Sequence, residues 1–213
     1  MKAVSLVTRR SDLSRAAFRD YYETTHSALA MQYFPFVGYT RNHLLDHPEL
    51  DFDCISEFEA PAQMAEVDIM NSGSRQRVAA DEVQFMDPSR IRVAGVRPHA
   101  LVVPATAVDA QRLSRRVLLI EHDQLNLLDR LQQLVGNLIA SSPSLHALRL
   151  DLLDNDPHCP LPCNALLWLD MLEQDAPLPP ALAQLPGLGL TLRVACCDTP
   201  PATLRERFVA FHP

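Results

Sequence analysis

Lysine is nearly absent from this chain: Lys2 stands alone against eighteen arginines, which all but excludes a buried catalytic lysine. Glycine is scarce as well, with six in 213 residues, and no GxGxxG, P-loop or Gly-x-Ser-x-Gly elbow occurs. Dinucleotide, ATP and serine-hydrolase chemistry each need glycine where backbone approaches a phosphate or bends around a nucleophile, so none is supported. Long apolar runs are missing too. Stretches such as Val117 to Ile120 fall far below the roughly 20 residues that cross a bilayer, and no membrane span is expected.

The five cysteines (Cys54, Cys159, Cys163, Cys196, Cys197) are an odd number with one adjacent pair, a poor basis for a disulfide framework. The opening MKAVSLVTRR reads as a strand and not as an export signal, so the expected location is the cytoplasm. Positive charge is in deficit: 19 basic against 26 acidic side chains give −7, with 11 against 14 in residues 1–104 and 8 against 12 in residues 105–213. Neither half offers a platform for nucleic acid.

What the chain does have is pattern. A strand is expected over Lys2 to Thr8, then a helix opened by Ser14 with Phe18, Tyr22, Leu29 and Tyr33 at helical spacing, ended by Pro35. Strands follow at Val37 to Leu44 and Leu50 to Phe58, around a His47-Pro48-Glu49 turn. A second helix is expected after Pro61, through Met64, Val67 and Ile69, to a break at Asn71-Ser72-Gly73. A short helical Asp81 to Phe85 and a strand Arg90 to Val96 close the unit. That order, βαββαβ, is the ferredoxin-like split motif.

The order returns after a linker at about Pro104 to Ser114. Strands are expected at Arg116 to His122, Leu145 to Leu153, Asn164 to Leu172 and Gly189 to Cys196, with helices at Leu125 to Ile139 and Pro179 to Leu185. The fold expected is α+β: two tandem ferredoxin-like units, residues 1–104 and 105–213, burying their open sheet faces on each other as an intrachain pseudo-dimeric barrel. A final helix is expected within Pro200 to Phe211. Chemically the halves are unequal. Residues 1–104 hold 10 of the 13 aromatics and all four tyrosines, whereas residues 105–213 hold 26 leucines against 7. Tyrosine joins an apolar body to a polar tip and suits a ligand pocket, so the first half is expected to carry the site and the second to be scaffold.

The run Lys2 to Arg10, then Leu13-Ser14 and Phe18-Arg19-Asp20-Tyr21-Tyr22-Glu23-Thr24-Thr25-His26, resembles the opening of the EthD-like family. Gly38 to His43, Phe52 to Phe58 and Asp81 to Asp87 follow in the family's order. The resemblance covers residues 1 to 97, and Tyr22 stands where the family commonly has tryptophan. It implies a dimeric α+β barrel, usually without metal or organic cofactor, acting on small hydrophobic ring compounds. Residues 105–213 match no family motif.

His26 is the leading acid/base candidate, since it shares a helical stripe with Phe18 and Tyr22 and an imidazole titrates near neutrality. Its bland alternative is a hydrogen-bonded core histidine. Tyr22 and Tyr39 could hold a substrate oxygen or be ordinary half-buried aromatics, and Phe18 would line the same wall. Asn42 and His43, adjacent on a strand, point to opposite faces, so Tyr39 pairs with His43 unless a bulge intervenes. His43 is then a second acid/base candidate and Asn42 a weaker polar contact. Asp53, with Glu57 behind it, could orient His26 as a His-Asp dyad or be an ordinary ion-paired carboxylate. Cys54 reads as buried packing, and His158-Cys159-Pro-Leu-Pro-Cys163 as a rigid hairpin loop without metal-ligand spacing.

The first reading is a lyase or isomerase, free of metal and cofactor, for a small aromatic, lactone or polyketide-derived compound. The others are a cofactor-free monooxygenase of phenols, a non-catalytic binding protein of a catabolic or biosynthetic pathway, and a pseudo-dimer whose site has decayed. Besides the ligand, the partners expected are the chain's own second half and a further copy of the chain, with no nucleic acid or membrane.

Overall fold

The computed structural model describes the chain except residues 105, 107 and 109–111, and the side chains of residues 124 and 125. The expected linker at Pro104 to Ser114 lies partly outside the described residues. Eight strands hydrogen-bond in the order β1-β3-β2-β8-β5-β7-β6-β4 and close into an antiparallel barrel. They are β1 (Lys2–Val7), β2 (Gly38–Leu44), β3 (Cys54–Glu59), β4 (Arg92–Val102), β5 (Ser114–Ile120), β6 (Leu145–Asn155), β7 (Ala165–Met171) and β8 (Leu188–Asp198). The helices are α1 (Arg15–Tyr21), α2 (Ser27–Tyr33), α3 (Gly73–Glu82), α4 (Gln124–Ser141), α5 (Pro180–Ala183) and α6 (Pro201–Arg207). None of the described helices is long and apolar enough to cross a membrane.

Two compact units divide the chain. The first comprises Met1–His43, Pro48–Val93 and Cys197–Pro213. In it β3 lies between β1 and β2, with Ser5 opposite Ser56 and Arg41 opposite the same residue. Because side chains alternate along a strand, Val7, Cys54, Phe58, Tyr39 and His43 share one face. Phe18, Tyr22, Met31, Phe85 and Leu204 cluster with Val7, Tyr39 and Cys54 as the apolar core on that side. The opposite face carries Lys2, Asn42 and Glu57, joined by a 3.0 Å Lys2–Glu57 ion pair and a 3.0 Å hydrogen bond from the Asn42 amide to Glu57.

Ser14 caps α1 as expected, its hydroxyl accepting from the Ala17 N–H. The expectation for Pro61 to Asn71 fails: that stretch forms only two short 3₁₀ turns, 62–66 and 69–71. The helix begins where a break was expected, because the Ser72 hydroxyl accepts from the Arg75 N–H and starts α3. A serine followed by glycine suits a turn as well as a cap, and the local sequence does not choose between them. One consequence is that Asp81, expected in a separate short segment, lies in the last turn of α3.

The second unit comprises Leu44–His47 and Ala94–Cys196. Its core is built almost wholly of leucine: Leu127, Leu131 and Leu138 of α4 pack on Leu118, Leu148, Leu150, Leu167 and Leu169. Gly187, at φ +73°, precedes β8 in a turn where an added Cβ would lie 1.9 Å from the Glu121 carbonyl oxygen. Glycine alone satisfies both demands.

Candidate active site

The helix that carries the aromatic stripe is not regular. Between α1 and α2, Tyr22–His26 form a π turn, closed by the Ser27 N–H donating to the Tyr22 carbonyl. The sequence supplies a cause on either side. The Thr24 hydroxyl donates to the Asp20 carbonyl at 2.7 Å and the Ser27 hydroxyl to the Glu23 carbonyl at 2.8 Å, and such back-bonding competes with the helical ladder. The wide turn admits Tyr22 and His26 to the core and leaves Glu23 reaching β2.

His26 is 6% exposed. Its Nδ1 lies 2.8 Å from Asp81 Oδ2, and the Tyr21 hydroxyl donates to Asp81 Oδ1 at 2.7 Å. Burial lowers the His26 pKa below its ordinary 6.5, against the opposing pull of Asp81 and Glu82. A neutral ring with Nδ1–H donated to Asp81 carries its lone pair on Nε2, the arrangement of a general base held in one tautomer. The Phe85 ring stands 4.6 Å from the imidazole and the Tyr22 ring 5.2 Å.

On the other side of Tyr22, its ring 5.7 Å away, is His43. His43 Nε2 lies 2.7 Å from Glu23 Oε1, and Arg41 grips the same carboxylate through Nη2 at 2.7 Å and Nε at 3.3 Å. Burial alone would raise the Glu23 pKa, but hydrogen bonds from His43 and Arg41 prevail and bring it down to about 2. Arg41 also donates to Thr199 Oγ1 and stacks over the Tyr39 ring at 4.5 Å. Tyr22, Tyr39 and Ser56 lie close enough for each to act on the phenol of Tyr22 or Tyr39. Burial raises both phenol pKa values, so each stays protonated and serves as a hydrogen-bond donor, not a base.

Phe18, Tyr22, His26, Tyr39 and His43 are thus gathered on one side of the sheet, Tyr39 with His43 as strand alternation predicts. Asn42 and Glu57 lie on the other face and do not join them. Asp53 is not the partner of His26. Its carboxylate accepts from the Arg15 side chain at 2.9 Å and the Arg9 backbone N–H at 3.1 Å, beside a polar cleft of about 390 Å³ lined also by Thr8, Asp51, Asp87 and Arg90. Asp81, Glu23 and Arg41 were missed as site residues. Only Arg41 had a local signal, standing between Tyr39 and His43 at even spacing. Cys54 is buried, with its thiol pKa raised by that burial, as a packing residue should be. Among the described residues, Glu23, His43 and Cys197 bring a carboxylate oxygen, an imidazole nitrogen and a sulfur within 4.8 Å of one another.

Among curated proteins, none matches the chain. Solved structures share the fold. A monooxygenase-like protein of Lactobacillus acidophilus NCFM aligns with TM-score 0.53 and 8% identity over 94% of this chain and 95% of its own. An anthrone oxidase-like protein aligns with TM-score 0.59 and 12% identity over 92% of each. The model of the EthD domain matches residues 10–89, a span that holds α1, the π turn, β2, β3 and α3 together with both histidine–carboxylate pairs. Residues 10–89 of this chain are thus similar to an EthD domain.

Proposed function

We propose that the chain is an acid/base enzyme that needs no cofactor, a lyase or isomerase of a small ring-bearing compound, with His26 as general base. The observation that carries this reading is the buried His26–Asp81 pair, supported on its second oxygen by Tyr21. His26 Nε2 takes an acidic proton from the substrate, and Asp81 stabilises the imidazolium so formed. Tyr22 and Tyr39, protonated and adjacent, supply donors for an oxygen on which negative charge develops. Phe18 and Phe85 furnish apolar wall for the ring.

A cofactor-free monooxygenase is the second reading, favoured by the shared fold with the anthrone oxidase-like protein. It begins with the same deprotonation, of a phenol, and differs in consuming oxygen. We further propose that residues 1–104 carry the acid/base site and residues 105–213 are a diverged ferredoxin-like repeat, scaffold up to Cys196, with Cys197–Pro213 belonging to the first unit. The strand order supports this: β4-β1-β3-β2 is repeated as β8-β5-β7-β6 around the closed ring.

The test is turnover of a panel of phenols, quinones and lactones, under air and under argon. His26→Ala is expected to lower kcat by about 10²–10⁴ while the ring compound still binds. Turnover confined to air selects the monooxygenase. Binding without turnover by the native chain overturns the enzyme reading.

A further inference from the structure

The strongest unexplained grouping in the first unit is Glu23, His43 and Cys197. These donors come from the π turn, from β2 and from the end of strand β8, and their ligand atoms all lie within 4.8 Å of one another. A nucleophilic triad is excluded by which nitrogen they share. A triad needs the carboxylate on one imidazole nitrogen and the thiol at the other. Here the carboxylate holds Nε2 at 2.7 Å, while Nδ1 is buried without a hydrogen-bond partner among the described residues. Oxygen, nitrogen and sulfur converging on one point is the requirement of a metal ion.

We propose that Glu23 Oε1, His43 Nε2 and Cys197 Sγ form a binding site for a thiophilic divalent cation, zinc before others. One carboxylate, one imidazole and one thiolate suit zinc or cobalt and not calcium or magnesium, which take oxygen ligands. Three protein ligands leave a fourth position open to water. The neighbours act as an outer shell: Arg41 Nη2 holds Glu23 Oε2 at 2.7 Å, Arg41 Nε reaches Oε1 at 3.3 Å and must cede that oxygen to the metal, and Arg19 Nη2 reaches Cys197 Sγ at 3.8 Å. Two guanidinium charges so close weaken cation binding, so the site is one of moderate affinity. Glu23 and thiolate charges balance the dication.

The Cys197 S–H bond breaks, a zinc–sulfur bond forms and the proton goes to solvent. The His43 proton moves from Nε2 to Nδ1 as Nε2 ligates. The site stands apart from the His26–Asp81 pair, and it departs from the expectation of a metal-free chain.

The experiment is titration of chelator-stripped full-length protein with Co²⁺, followed by displacement with Zn²⁺. The expected result is saturation at one cobalt per chain, with a thiolate-to-cobalt charge-transfer absorption that Zn²⁺ erases and one proton released per metal. Cys197→Ser abolishes the charge-transfer band, Cys196→Ser keeps it, and Glu23→Gln weakens binding by about tenfold or more. No uptake, uptake without the band, or a band that survives Cys197→Ser overturns the site. Should Cys197→Ser fail to fold, the alkylation rate of Cys197 in the native chain decides: slowing by Zn²⁺ supports the site, and equal rates with and without Zn²⁺ refute it. His26→Ala leaves the cobalt band intact, so failure of the acid/base reading and failure of this one are separable.

Discussion

Asp81 accepts from His26 Nδ1 at 2.8 Å, joining the last turn of α3 to the end of the π turn. The other Asp81 oxygen is occupied by Tyr21 at 2.7 Å, so the carboxylate cannot rotate without losing a bond, and its position fixes the tautomer of the imidazole. Asp81→Asn keeps the shape but allows the amide to present N–H to Nδ1, which favours the wrong tautomer. The expected outcome is a fall in kcat of about 10²–10⁴ with little change in ring binding. Nitrogen-15 spectra of the His26 imidazole check it: the native ring should show Nδ1 protonated, and the variant should show Nε2 protonated. A native ring already protonated at Nε2 would remove the base from the mechanism.

The pH dependence follows from the direction of the His26 shift. Burial, aided by Arg75, outweighs Asp81 and Glu82 and holds the folded pKa below 6.5. In the window from 6.5 down to the folded value the unfolded chain binds more protons, so stability is complete above 6.5 and declines as pH falls through that window. The acid limb of kcat/KM for the free enzyme should therefore be centred below 6.5, and thermal unfolding should shift downward between pH 7 and pH 5. His26→Gln should flatten the second dependence. An acid limb centred above 6.5 contradicts the neutral, buried imidazole.

Glu23 gives a separate acid signature. Its folded pKa of about 2 lies below the ordinary 4.5, so the stability it contributes is present above 4.5 and is lost as pH falls from there toward 2. Glu23→Gln leaves Arg41 and His43 without their shared carboxylate. The expected cost at neutral pH is about 1–3 kcal/mol, discounted for the solvent-exposed edge of Glu23. Urea unfolding at pH 7 and at pH 3 measures it, and the gap between native and variant chains should narrow at the lower pH. A constant gap would mean that Glu23 acts by packing alone.

How much of this was legible depends on range along the chain. Ser14 at the cap, the Phe18–Tyr22–His26 spacing and the Tyr39–His43 alternation are local, and reading them needed only helical and strand periods. The pairing of His26 with Asp81 spans 55 positions and depends on where α3 begins, which Ser72 decides through a hydrogen bond that a Ser-Gly pair does not announce. Asp53 looked equivalent in sequence, an acid on a strand near the right helix. Arg15 and the Arg9 backbone claim it, and no periodicity argument weighs one partner against another. Glu23 was hidden for a different reason: beside Tyr22 on a regular helix it would point away from Tyr22's face, and the π turn lets both reach the sheet.

Phe85 is fully buried and stands against Phe18, Tyr21, Tyr22 and His26, with ring centroids 4.6 to 5.6 Å apart. Truncation to alanine should cost about 3–5 kcal/mol in unfolding free energy, comparable to the loss from Leu131→Ala in the leucine core of the second unit, about 2–5 kcal/mol. The two variants should part on function. Phe85→Ala leaves an apolar cavity beside the imidazole, which a benzene-sized ligand can fill. Added indole or phenol should then raise its melting temperature and displace the His26 resonances. Leu131→Ala, buried among leucines under α4, should be destabilised without moving those resonances or altering ring binding in the first unit. If instead Leu131→Ala disturbs His26 as strongly as Phe85→Ala does, the second half takes part in the site and is no mere scaffold.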